Sequence, residues 1–368
     1  MELHAWLNPY RVTTTVNDVL HSSHIYHRQP ERFVTYGGKI YFDPGLPQNR
    51  EFILNIVKDV VMRYDVDAIH MDDYFYPYPI AGEAFPDNRS FQAYGGEYKP
   101  DRLGDWRRNN VNVLIKEIKH AILETKPWVR FGISPFGIYR NKRSTPDGSG
   151  SETTGLQNYD DLYADVELWV KEGWIDYNMP QVYWEIGHTA ADYKTLTDWW
   201  ANHAHKRHLH IGQDVKRTMD ATTPSGATQL AEKMSLSRGY STIEGNCFWP
   251  AYELLDNYKG IGYRLKTEYH RYPALIPAYS HVHKKKPKKG NNLENGYTRE
   301  EHTLTWQSKS DKYNPETAQY YVVYSFAKGA KEDLDNPASI VAITRRTSYT
   351  LPYEGGSNEY KYVVTAVD

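Results

Sequence analysis

Short apolar runs alternate with longer runs of helical spacing from the start of the chain to about residue 265. Residues 3–7 read as a strand, closed by Asn8-Pro9-Tyr10-Arg11, and a long loop with turn signals at Gly37-Gly38 and Asp43-Pro44-Gly45 follows. Residues 48–64 predict a helix, because Phe52, Ile53, Ile56, Val57, Val60 and Val61 recur on one helical face. Residues 68–71 predict a short buried strand that runs into Asp72-Asp73 and an aromatic loop reaching residue 103. A helix over 105–125 turns Val111, Leu114, Ile115, Ile118 and Ile122 inward. The alternation goes on with strands at 130–134, 177–183, 208–212 and 245–248, and helices at 160–171, 191–204, 225–238 and 252–265.

Six such strand–helix units make parallel pairing with crossover helices the natural arrangement. An open doubly wound sheet would carry a glycine-rich phosphate loop after its first strand, and none is present. Polar or aromatic residues stand at or just past each strand's C-terminal end: Asn8, Asp72, Ser134, Glu185, Gln213 and Trp249. That pattern favours an α/β fold of the (β/α)8 TIM-barrel type, whose sites gather at that face. Six units are two short of eight, so the first two are expected ahead of Met1. Residues 271–292 read as a linker with Pro273, Pro277, Pro287 and the run Lys284-Lys285-Lys286-Pro287-Lys288-Lys289. The run reads as a solvated spacer, with an anionic partner as the alternative. Residues 293–368 alternate as half-buried strands at 303–306, 320–324, 339–343 and 360–366, with turns at Asn314-Pro315 and Glu354-Gly355-Gly356. A small β-sandwich is expected, and its early Trp and Tyr-rich later strand resemble a fibronectin type III module.

The net charge of −2 gives no general attraction to nucleic acid. The single cysteine, Cys247, excludes an intrachain disulfide. The 32 tyrosines and 10 tryptophans suit the apolar faces and hydroxyl edges of sugars, though they also fill cores.

Two consecutive carboxylates at a strand end are costly to bury without a purpose. In an extended strand His70 and Asp72 share one face. Asp72 is therefore the first candidate for a glycosidase nucleophile or base, with Asp73 as its partner. A second carboxyl must donate a proton. Glu185, just past its strand, is the best candidate, and Asp214 is a weaker one. His4, Trp6 and Asn8 share a strand face, followed by Tyr10 and Arg11; with His70, Tyr74, Gln181, Tyr183, Trp184 and Trp249 they are candidates to grip a sugar. His21-x-x-His24-x-x-His27, His203-x-His205, His208-x-His210 and His281-x-His283 leave a metal reading open. A metal-dependent polysaccharide deacetylase and a non-catalytic carbohydrate-binding protein are the rivals to a glycosidase.

The runs His4-Ala5-Trp6-Leu7-Asn8-Pro9-Tyr10-Arg11, His70-Met71-Asp72-Asp73-Tyr74-Phe75-Tyr76-Pro77 and Pro180-Gln181-Val182-Tyr183-Trp184 together resemble the glycosyl hydrolase-like 10 family. The resemblance covers residues 2–265. It implies a bacterial glycosidase on a (β/α)8 barrel, needing no cofactor and acting on peptidoglycan strands stripped of their peptides. It also implies an exported periplasmic or cell-surface lipoprotein, whose anchor is not part of this chain. His70-x-Asp72 matches the related pattern in which a nucleophile follows a basic residue by two, so the resemblance favours Asp72 for that role and Glu185 as proton donor.

Overall fold

Strand β1 (His4–Leu7) lies at one edge of a six-stranded sheet. It is followed by β2 (Phe33–Tyr36), β3 (Lys39–Phe42), helix α1 (Pro47–Arg63), β4 (Ala68–Met71), α2 (Asn88–Tyr94), α3 (Leu103–Thr125) and β5 (Arg130–Ile133). Then come α4 (Asn158–Asp161), α5 (Val166–Lys171), β6 (Tyr177–Asn178), α6 (Tyr193–Asn202), β7 (His208–Asp214), α7 (Val215–Asp220), α8 (Gly226–Gly239) and β8 (Ile243–Trp249). The sheet order β1-β4-β5-β6-β7-β8 follows the chain, and every pair in it is parallel. This computed structural model describes residues 2–15, 17–279, 287, 290–298, 301–307, 318, 320–351 and 360–367. Met1–Ile261 and Gly262–Asp368 form two compact units.

The first unit is held by an apolar layer between strands and helices. Val111, Leu114, Ile115, Ile118 and Ile122 of α3 are all fully buried, as are Ile69 and Met71 of β4 and Phe131 and Ile133 of β5. Each such side chain contributes about 1.5–3 kcal/mol relative to exposure. On α1, Ile53, Val57 and Val61 are buried, but Ile56 turns out to solvent, so the predicted apolar face is narrower than expected.

Several boundaries differ from the sequence reading for local reasons. The expected strand 177–183 keeps strand geometry over Tyr177–Asn178, because Pro180 has no N–H to give a ladder. Gln181 then rejoins the sheet through isolated bridges to Phe136 and Gly212. The loop after β1 contains the β2–β3 hairpin, turned by Gly37 and Gly38, both with positive φ. The expected helix 160–171 breaks into α4 and α5 around Tyr163, which has φ 54°. The expected helix 252–265 is interrupted where Asn257 and Lys259 take positive φ, leaving α9 (Ala251–Leu255) and α10 (Ile261–Arg264).

The long segment after β4 is anchored. Asp87 accepts two hydrogen bonds from Arg107 of α3, at 2.6 and 2.8 Å, in a buried bidentate pair. Arg107 also donates to the Tyr163 hydroxyl at 2.9 Å. Loop and helix are thereby held together.

The second unit contains β9 (Asn291–Tyr297), β10 (His302–Gln307), β11 (Tyr320–Ala327), β12 (Ile340–Thr344), β13 (Ser348–Leu351) and β14 (Tyr360–Val367). They form two three-stranded antiparallel sheets, β13-β10-β9 and β12-β11-β14. Leu304, Trp306 and Leu351 of one meet Tyr321 and Val323 of the other. β9 begins inside the expected linker. The lysines of the linker run and the turns at 314–315 and 354–356 lie outside the described residues.

Gly132 carries a specific packing demand. A Cβ there would lie about 1.9–2.3 Å from the ring of Tyr177 on the neighbouring strand. Gly132→Ala is therefore expected to displace that ring and destabilise the protein by about 1–3 kcal/mol, measured by urea unfolding. Unchanged stability would show that the ring can move aside freely.

Candidate active site

At the C-terminal ends of the parallel strands the side chains converge on a cleft of about 610 Å³. Of the residues singled out in the sequence, His4, Trp6, Arg11, His70, Asp72, Asp73, Tyr74, Gln181, Tyr183 and Trp249 line it. Strand alternation explains the grouping: His4 and Trp6 share a face of β1, and Trp6 pairs in register with His70 of β4. Asp72 and Asp73 follow β4 directly, past its last paired residue, where alternation no longer separates them. Trp6 and Trp249, on the two edge strands, are 60% and 46% exposed, so two broad indole faces are open to a ligand. Trp249 stacks on Tyr183 at 6.0 Å, and Arg11 lies over the Tyr74 ring at 4.6 Å.

Four expected residues fall elsewhere. Asn8 accepts a hydrogen bond from the Arg11 backbone N–H at 3.1 Å and so shapes the turn after β1. Tyr10 is buried in the core. Trp184 and Glu185 line an adjoining cavity of about 520 Å³ with His188, Asp214, Lys216, Arg217 and Asp220. Tyr183, Asp214 and Arg217 border both cavities. Asp214, the weaker sequence candidate, lies past the end of the expected strand 208–212. In the structure β7 runs two residues further, sending Gly212 and Asp214 to the cleft and Gln213 to Asn246 behind. The Asp214 carboxylate also caps α7, accepting from the Arg217 N–H at 2.7 Å. Ser134, Met179 and Cys247 complete the lining.

The electrostatics of the two adjacent acids differ. Burial, and then the charge of Asp73, push the Asp72 carboxyl up to about 6, against the Tyr74 N–H, Arg11 and the Trp6 indole. Burial also raises Asp73; the hydroxyl of Tyr78 and the amide of Gln181 bond to it and oppose that rise without cancelling it. Below them His70 is driven down to about 3 by burial and by neighbouring His4, so it is neutral at ordinary pH. Behind the far wall, burial lowers the Lys233 ammonium to about 8 while Glu185 and Asp214 act to raise it.

Among the described residues no three His, Cys, Asp or Glu side chains stand where they could share a metal ion. His21, His24 and His27 each turn to a local partner: Ser23, the Tyr26 N–H and the Leu20 carbonyl. His203 turns to the Trp199 carbonyl, His205 to Glu167 and His208 to Glu244. His281 and His283 lie outside the described residues.

The Asp72 shift has a thermodynamic signature. Its folded value of about 6 exceeds the usual ~3.9 of an unfolded chain, so the folded state binds the proton more tightly. The associated stability is full below the unfolded value and is lost as pH rises through the folded one. Asp72→Asn is therefore expected to gain on the parent protein between about pH 4 and about pH 7.5, by up to roughly 3 kcal/mol. Urea unfolding at the two pH values reads this directly, and parallel curves for both proteins would contradict it.

Comparison with known proteins agrees with the cleft's composition. Residues 1–225 match the model of the family described as glycosyl hydrolase-like 10. Glycosyl hydrolase YngK of Bacillus subtilis (strain 168) is 38% identical over 380 aligned positions, covering 100% of this chain and 72% of that protein. Glycosyl hydrolase DigH of Escherichia coli (strain K12) is 36% identical over 266 positions, covering 67% of this chain and 59% of that protein. Thus the chain spans somewhat more than half of DigH's length. Among solved structures, the PgaB (BpsB) glycoside hydrolase domain from Bordetella bronchiseptica aligns with a TM-score of 0.43 and 11% identity, covering 72% of this chain and 74% of that one. On the family match and the two bacterial relatives, the chain belongs to the glycosyl hydrolase-like 10 family and is an enzyme of the glycoside hydrolase class.

Proposed function

We propose that the cleft cleaves glycosidic bonds in a bacterial glycan, with peptide-free peptidoglycan strands as the substrate, through Asp72 and Asp73. The observation that carries this reading is the unequal pair of acids between two exposed tryptophans. A carboxyl raised to about 6 holds a proton close to neutral pH, which suits Asp72 to proton transfer at the glycosidic oxygen. Asp73 accepts from the Tyr78 hydroxyl and the Gln181 amide, bonds that favour its charged form and suit it to steadying positive charge on the sugar ring as the bond breaks. These roles divide the pair differently from the sequence expectation of Asp72 as nucleophile. Trp6 and Trp249 stack sugar faces, and Arg11, Tyr74, Gln181 and Tyr183 bind hydroxyls or a carboxylate. Glu185 and Asp214 line the other side, so a glycan lying across both cavities meets a second carboxyl there. No cofactor is needed for this chemistry.

The same reading extends to the architecture. Six parallel strands in chain order, with a site at their C-terminal ends, fit the wall of a (β/α)8 barrel. The paired antiparallel sheets of the second unit fit a fibronectin type III-like module. A peptidoglycan substrate places the protein outside the cytoplasmic membrane, as an exported envelope protein.

Release of new reducing ends from peptide-free peptidoglycan tests the assignment. Asp72→Asn is expected to lose about 10²–10⁴-fold in kcat, and Glu185→Gln less than about tenfold. Equal losses in both variants would make Glu185 the proton donor. An unchanged Asp72→Asn rate would remove the acid pair from the chemistry.

A further inference from the structure

A column of polar side chains runs from β1 to the cleft floor, and its hydrogen bonds have one consistent direction. Glu2 lies 2.5 Å from Arg130 and 3.4 Å from His4 Nε2. Burial acts to raise the Glu2 carboxyl, but the His4 hydrogen bond and the Arg130 guanidinium outweigh it and bring it down to about 2. Glu2 is therefore an ionised acceptor. The direction of the column is that of a neutral His4, which carries its proton on Nε2, facing that carboxylate. Its bare Nδ1 then accepts the Tyr177 O–H, at 2.9 Å. The Tyr177 oxygen in turn accepts from His70 Nδ1, at 3.1 Å. His70 Nε2 is left as a lone pair, and the Ser134 hydroxyl donates to it at 2.8 Å. For a neutral His4 the opposite order would set its Nε2 lone pair against the Glu2 carboxylate.

The residue at the end of this column is itself fixed. Ser134 donates its backbone N–H to the Met71 carbonyl at 2.8 Å, and its backbone carbonyl accepts from the Gln181 side-chain amide at 2.8 Å. Its side chain is half-buried and lines the cleft. A serine bonded to a histidine invites a nucleophile reading, but a buried imidazole that resists protonation is a poor base for it.

We propose that Ser134 Oγ, its proton committed to His70, is a one-way hydrogen-bond acceptor at the cleft floor that selects substrates presenting a donor there, a sugar hydroxyl or an acetamido N–H. Ser134 is then a specificity-determining residue, while His70 and Tyr177 are positioning residues. The substrate part rests on the glycan reading above; the direction of the column does not.

Nitrogen NMR of the full chain, labelled at histidine and held at about pH 8, tests the column, with His70 assigned by its loss in His70→Gln. His70 is expected as the Nδ1–H tautomer in the parent protein and in Ser134→Ala. Tyr177→Phe is expected to convert it to a mixture. Finding the Nε2–H tautomer in the parent would overturn the proposal. Calorimetry with a peptide-free peptidoglycan tetrasaccharide tests the acceptor: Ser134→Ala should weaken Kd about three- to tenfold, the size of one neutral hydrogen bond. Equal Kd in parent and Ser134→Ala would overturn the acceptor role while leaving the glycan reading intact. No binding by the parent, with the tautomer as expected, would overturn the glycan reading and with it the role of Ser134 toward substrate.

Discussion

The ring of Tyr177 occupies the space that a side chain at position 132 would need, and its hydroxyl joins His4 to His70. Much of the site depends on that one placement. The polar groups beneath the cleft satisfy one another, so the His70 imidazole can be buried without charge. A neutral floor has an electrostatic consequence for the acids above it. A cationic His70 would draw the Asp72 carboxyl down. A neutral one leaves the desolvation of Asp72 opposed chiefly by the Tyr74 N–H, Arg11 and Trp6. The raised carboxyl and the buried column are thus two ends of one arrangement, set by how a tyrosine fits opposite a glycine.

Much of this was legible in the sequence. The apolar spacing of 105–125 located α3 and its inward face, since five aliphatic residues at helical intervals have no comparable alternative. Asp72 and Asp73 were visible because consecutive acids after an apolar run are improbable without a role. Other features were hidden by what one-dimensional patterns omit. Pro180 inside an apolar run looked like strand, yet a ladder needs an N–H there. Gly37-Gly38 was seen as a turn, but the flanking strands were too short to announce a hairpin. Ser134 stood out as a strand-end polar residue, and nothing local linked it to Glu2, which is remote in sequence and joined to it through three strands. Asp214 reaches the cleft because β7 continues two residues past the expected end, which keeps 214 on the same face as 212.

The buried Arg107–Asp87 pair explains how a long aromatic segment can border a well-defined cleft. Loops owe their mobility to few buried contacts. This one is tied to α3 by a bidentate ion pair that removing either partner would leave as a stranded charge. The Tyr78 hydroxyl that reaches Asp73 comes from that tethered segment. Rigidity contributed by an ion pair outside the cleft is therefore part of how the acid inside it is held.

Trp6 and Trp249 belong to the first and last strands of the sheet, which touch no common neighbouring strand. A sugar chain laid against both indoles would act as a cross-brace, joining two edges that the backbone leaves apart. Holding a ligand and resisting unfolding would then be linked by mass action, with each occupied cleft fastening the sheet that built it.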